Sequence, residues 1–183
     1  MPITRPGRSR KGLFVAAALF AAGLHPSVLG AAPAVGVIRN AAWSPGDTSR
    51  EGAGEFSVLL QMAQLQQSGN RAGLLGVGAP HGVFAPGTER ALRFAVLSGL
   101  PVVKLAPDGD VASCPDELFV NAGTLSENEA HRVLAEALEV HGAAPRASNP
   151  SHPTDKELVA IRAHVKRLQQ HFSQPRPMIV ARN

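Results

Sequence analysis

The chain of 183 residues has one cysteine, no tyrosine, one tryptophan and 4% aromatic residues. A single cysteine excludes an intramolecular disulfide, so stability has to come from packing in any compartment. Cys114 stands between Ser113 and Pro115 in an expected loop, a setting that suits a surface residue better than a nucleophile. With so few aromatic side chains and no basic stripe interleaved with them, the stacking platforms of nucleic-acid binding are missing. Seven histidines are present, but none forms an H-E-x-x-H helix. His164 and His171 lie two helical turns apart, too far for one ion. No metal or cofactor is expected.

A long apolar run is also lacking. The longest, GLFVAAALFAAGL from Gly12 to Leu24, is too short to span a bilayer, which takes about 20 residues. Arg5, Arg8, Arg10 and Lys11 precede it, and Ala32-Pro33-Ala34 follows with small residues suited to cleavage, Ala31 being a second such point. Residues 1–34 therefore predict a secretory signal and a periplasmic or secreted product with no transmembrane segment after cleavage. No cysteine lies nearby for a lipid anchor, and Arg10-Lys11 is not a twin-arginine pair. Of 18 Lys and Arg, four lie in this segment with no acid, which leaves 14 bases against 14 acids. Charge is then unevenly placed: 7 bases and 12 acids from Val35 to Ala144, 7 bases and 2 acids from Pro145 to Asn183.

What is there is an alternation of short buried runs and amphipathic stretches. VGVIRNA predicts a strand, and EFSVLLQMAQLQQSG a helix with Phe56, Leu59, Leu60 and Ala63 on one inward face and Gly69 as its stop. AGLLGVG is a second strand. PGTERALRFAVLSG is a second helix opened by Pro86, with Leu92, Ala95 and Val96 inward and Gly99 as the stop. LPVVKLA is a third strand. LFVNAGTLSENEAHRVLAEAL then supplies a fourth strand, a glycine turn and a third helix, started by the capping box Ser126/Glu129. Strands separated by single helices imply an α/β domain with a parallel sheet and right-handed crossovers. Residues 145–153 read as a Pro- and Ser-bearing linker to a further helix, 154–173, with the capping box Thr154/Glu157 and a stripe of Leu158, Ile161, Val165, Leu168 and Phe172. That stripe is expected to dock on the domain or on a partner copy; its lysines and arginines would also suit an anionic membrane surface. Residues 174–183 form a tail.

The order of LLGVGAPHG, GLPVVKLAPDGDV and LFVNAGTLSENEAHRVLAEAL resembles the C-terminal domain of the bacterial L-asparaginase/glutaminase family, over about Val35 to Leu138. The resemblance implies a flavodoxin-like domain, a small parallel sheet of about four strands with flanking helices, to which the C-terminal helix is added. It also implies what is missing. The family's Gly-Gly-Thr-Ile and Gly-Thr-Asp-Thr nucleophile segments do not occur in this sequence. The asparagine and glutamate that the family's C-terminal domain lends to a neighbouring active site correspond here to Val83 and Val111, so no catalytic residue is carried over.

Ligands of open parallel sheets bind beyond the carboxyl ends of strands, near a switch point. The loops expected there offer Ser44 and Asp47, Gly78, His81 and Gly82, Asp108, and Thr124. The glycines permit close backbone approach, His81 can donate or accept, and the aspartates suit an amine or a cation; each also serves as an ordinary turn residue. The Gly78 to Gly82 loop lacks the lysine of a P-loop, and Ser44, His81 and Asp47 form a triad only by assumed contacts. Three readings stay open: an exported remnant or partner subunit without hydrolase activity of its own, used in binding or assembly with copies of itself or with a partner chain; a subunit of an amidohydrolase completed by a chain carrying the nucleophile domain; or a periplasmic small-molecule binder, with an acidic amino acid as ligand.

Overall fold

The sheet is built from segments that have almost no polar side chain to offer to water. Ala34–Arg39 (β1), Ala72–Val77 (β2), Val102–Leu105 (β3) and Val120–Asn121 (β4) pair in that order, all parallel. β2 and β3 are central; β2 reads as a continuous apolar run and β3 as one broken only by Lys104, as suits strands covered on both faces. The computed structural model describes residues 31–39, 53–78, 84–106, 117–123 and 125–176, with side chains from residue 57 onward in the first helix.

Register assigns the two faces. Gly36, Leu74, Gly76 and Lys104 lie on one side of the pleat, and Val37, Gly73, Leu75 and Val103 on the other. The first side is covered by Ala53–Gln67 (α1) and Pro86–Leu97 (α2). A Cβ built on Gly36 would fall 2.8 Å from Met62 and Val58 of α1, and one on Gly76 would fall 3.3 Å from the Phe84 ring just ahead of α2. The second side is covered by Glu127–His141 (α3), whose Leu134 and Leu138 lie 3.2 to 3.4 Å from a Cβ on Gly73. Absence of a side chain at Gly36 and Gly73 lets a helix approach the sheet closely.

The helix boundaries follow the expected signals. Pro86 occupies the first turn of α2, and Gly69 and Gly99 take positive φ after α1 and α2. Ser126 caps α3, accepting from the Glu129 amide while Glu129 accepts from the Ser126 amide at 3.0 Å. Thr154 and Glu157 do the same for Asp155–Phe172 (α4), and Glu157 also accepts from the Ser148 amide at 2.8 Å. The amides and then the hydroxyls of Ser148 and Thr154 hold this carboxyl well below its ordinary value, at about 2.

α4 docks on its own domain. It packs against α3 and β4, burying Ile161, Val165, Leu168 and Phe172. Its Gln169 side chain accepts from the Asn121 amide at 2.8 Å and donates to the Asn121 carbonyl at 3.2 Å. The two bonds satisfy the outer edge of β4 as a fifth strand would. The connection ahead of α4 is packed as well: Ala147 is buried, and its amide donates to the Leu97 carbonyl at 2.7 Å.

One expected face differs. Leu60 is 46% exposed, while Met62 takes an inward place beside Leu59. α1 lies over the β1 and β2 side of the sheet, so its inward stripe passes through Leu59 and Met62 and turns Leu60 toward α2.

Candidate functional site

Strand order decides where a site can be. The four strands follow one another without reversal, but the chain leaves β1 and β2 toward the α1/α2 face and β4 toward the α3 face, and the exit from β3 lies outside the described residues. Of the residues expected at the strand ends, Gly78 is described. It is buried, and its amide donates to the Leu105 carbonyl at 2.9 Å, extending the ladder past β2 rather than facing a ligand. Ser44, Asp47, His81, Gly82, Asp108 and Thr124 lie outside the described residues, as do Val83, Val111 and Cys114.

The described strand ends hold a group that periodicity does not single out. Lys104 on β3 is 3% exposed, and its ammonium pairs with Glu89 of α2. The same nitrogen lies 3.8 Å from the Phe119 ring centroid and 5.3 Å from that of Phe84. Gly76, the register partner of Lys104, leaves room for the Phe84 ring. Two ring faces and one carboxylate thus replace the water that a buried ammonium loses. The sequence signal was a lone lysine inside an apolar strand; its ring partners are remote in the chain.

A second concavity lies on the outer side of α1 and α2. It encloses about 820 Å³ between the two helices, floored by Ala63, Ala91, Ala95 and Leu100 and walled by Leu60 and Phe94. Phe94 is 48% exposed. The pattern repeats on both helices: Leu59, Leu60, Ala63 and Gln66 on α1, Arg90, Ala91, Phe94 and Ala95 on α2, each a single helical stripe. The Gln66 amide donates to the Gly99 carbonyl and ties the end of α1 to the turn after α2. Arg90 and Arg146 stand at the rim, and no lining residue among the described ones is acidic.

Histidines gather where α3 meets α4. His141 and His171 make an edge-to-face contact with centroids 5.5 Å apart. His164 is 3% exposed; its Nδ1 lies 3.3 Å from an Arg167 nitrogen, and its Nε2 has no hydrogen-bond partner. Burial first, then Arg167 and His141, push His164 down to about 4. His171 is lowered too, by burial and then by His141 and Arg176. Among the described residues no group of three or more ligating side chains is arranged to hold a metal ion. No helix among them is long and apolar enough to cross a membrane.

No family model, curated protein or solved structure matches the chain.

Proposed function

We propose that the chain is an exported domain of the asparaginase/glutaminase C-terminal type that works by binding or assembly and hydrolyses no amide on its own. The observation that carries this reading is the apolar groove between α1 and α2, where Leu60 and Phe94 stay half exposed at the mouth of a volume in the range of ligand sites, about 300–1,000 Å³. The domain type is supported by the Leu118 to Leu138 stretch, which supplies β4, the positive-φ turn at Gly123 and the capped start of α3 in the order the resemblance implies. Lys104 supports a structural use of the strand ends, since Glu89 and the two rings already engage its ammonium.

Three measurements test the reading. Intact-mass analysis of the exported fraction is expected to show loss of the first 31 to 34 residues; a full-length cytosolic chain contradicts export. Purified chain is expected to release no ammonia from asparagine or glutamine. A native pull-down that returns a chain bearing the threonine nucleophile segments, with ammonia release restored on mixing, replaces this reading by that of an amidohydrolase completed by a second subunit.

A further inference from the structure

Resting on the reading of this chain as a binding domain, we propose that the α1/α2 groove takes a single-chain amphiphile with an anionic head, an alkyl carboxylate, and that Arg90 holds the head. The described lining is mostly apolar, and none of its polar residues, Gln66, Gln67, Ser98, Arg90 and Arg146, is a buried group without a partner. Gln66 is already bonded to the Gly99 carbonyl. What the groove offers a ligand is therefore area for a hydrocarbon chain and charge of one sign at the rim. Neither Arg90 nor Arg146 has an acidic partner among the described residues, so the described rim charge is of one sign.

The two arginines are not equivalent, and the difference orients the ligand. Arg146 lies at the end where α1 and α2 terminate, its Cβ 3.1 Å from the position a Cβ on Gly99 would take. Carbonyl groups of two final helical turns converge there and carry partial negative charge, which a guanidinium offsets and a carboxylate opposes. Arg90 lies on the second turn of α2, eight residues and so about 12 Å along the axis from Ser98, clear of both C-termini. An anionic head is favoured at Arg90. The chain then runs past Leu60, Phe94 and Ala95 toward Leu100, and Arg146 closes the far end.

Calorimetric titration of the full chain with octanoate, decanoate and dodecanoate, below their micellar concentrations, tests this. Affinity is expected to tighten about fourfold per added methylene while the chain still finds groove. Dodecanoate is expected to bind at least tenfold more tightly than dodecanol, and dodecyltrimethylammonium more weakly than either. Arg90→Gln should erase the preference of acid over alcohol; Arg146→Gln should keep the preference. Circular-dichroism melting of each variant separates loss of binding from loss of fold. Equal affinity for acid and alcohol overturns the head-group assignment and leaves a binding groove. A preference that survives Arg90→Gln but not Arg146→Gln overturns the orientation. Failure of every amphiphile to bind a folded monomer overturns the site, and the reading of the domain is then decided by the pull-down and ammonia assays.

Discussion

The ammonium of Lys104 sits 3.8 Å from the centre of the Phe119 ring, with Phe84 at 5.3 Å and the Glu89 carboxylate on a third side. Removing the carboxylate strands a buried charge, whereas removing the charge leaves an apolar side chain between two rings. Glu89→Gln is therefore expected to destabilise by about 2 kcal/mol, scaled down from a fully buried pair because Glu89 is itself partly exposed. Lys104→Met is expected to cost less than Glu89→Gln. Urea unfolding of both variants gives the comparison; the reverse order would show that the lysine matters as an ion and not as a packed stem.

Acid should weaken the α3/α4 contact. An unfolded histidine takes a proton near pH 6.5, while His164 in place resists until about pH 4. The stabilisation is therefore whole above pH 6.5 and drains away as pH falls toward 4, on the order of 3 kcal/mol for this one group. The carboxyls of Glu129 and Glu157, held below 4.5 by their capping bonds, lose their contribution only under more acidic conditions. Melting temperatures at pH 7.5 and 5.0 should differ markedly in the parent chain and much less in His164→Leu. Equal losses in both would rule the histidine out.

Truncation after Gly142 removes α4 and should lower the melting temperature, because Ile161, Val165, Leu168 and Phe172 leave four core positions open. Gln169→Ala tests the edge alone. It deletes two hydrogen bonds to Asn121 that water then replaces, so the expected cost is about 1 kcal/mol. Amide exchange at Asn121 should accelerate in the variant while exchange in β2 stays slow.

A methyl group at Gly36 has no room. Its position is 2.8 Å from atoms of Met62 and Val58, and the β-branched Val58 has little rotamer freedom with which to yield. Gly36→Ala is expected to cost about 1–3 kcal/mol in chemical denaturation, and Met62→Ala in the same chain to recover part of it. A neutral Gly36→Ala would mean that α1 is free to move off the sheet.

Where a rule acts over three or four residues, the sequence stated it outright. Ser126 with Glu129, Thr154 with Glu157, Pro86 and the glycine stops at positions 69 and 99 all set local bonds or torsions, and the elements begin and end on them. The alternation of apolar runs with amphipathic helices likewise declared a parallel sheet. Lys104 was opaque because its environment is assembled from Phe84, Glu89 and Phe119, brought together by the sheet register and not by spacing. The groove was opaque for a related reason. Leu60 reads as one of a stripe with Leu59 and Ala63, and only the seating of α1 over β1 and β2 through Leu59 and Met62 turns it outward. Of the residues expected at the strand ends, Gly78 is buried in the ladder, and the others lie outside the described residues.

The amide and carbonyl of Asn121 wait for a partner that lies 48 residues further along the chain. Whenever the sheet from β1 to β4 forms before α4 docks, its β4 edge is open to any neighbouring chain. Folding thus has its own vulnerable window, and α4, the most C-terminal of the described helices, shuts it.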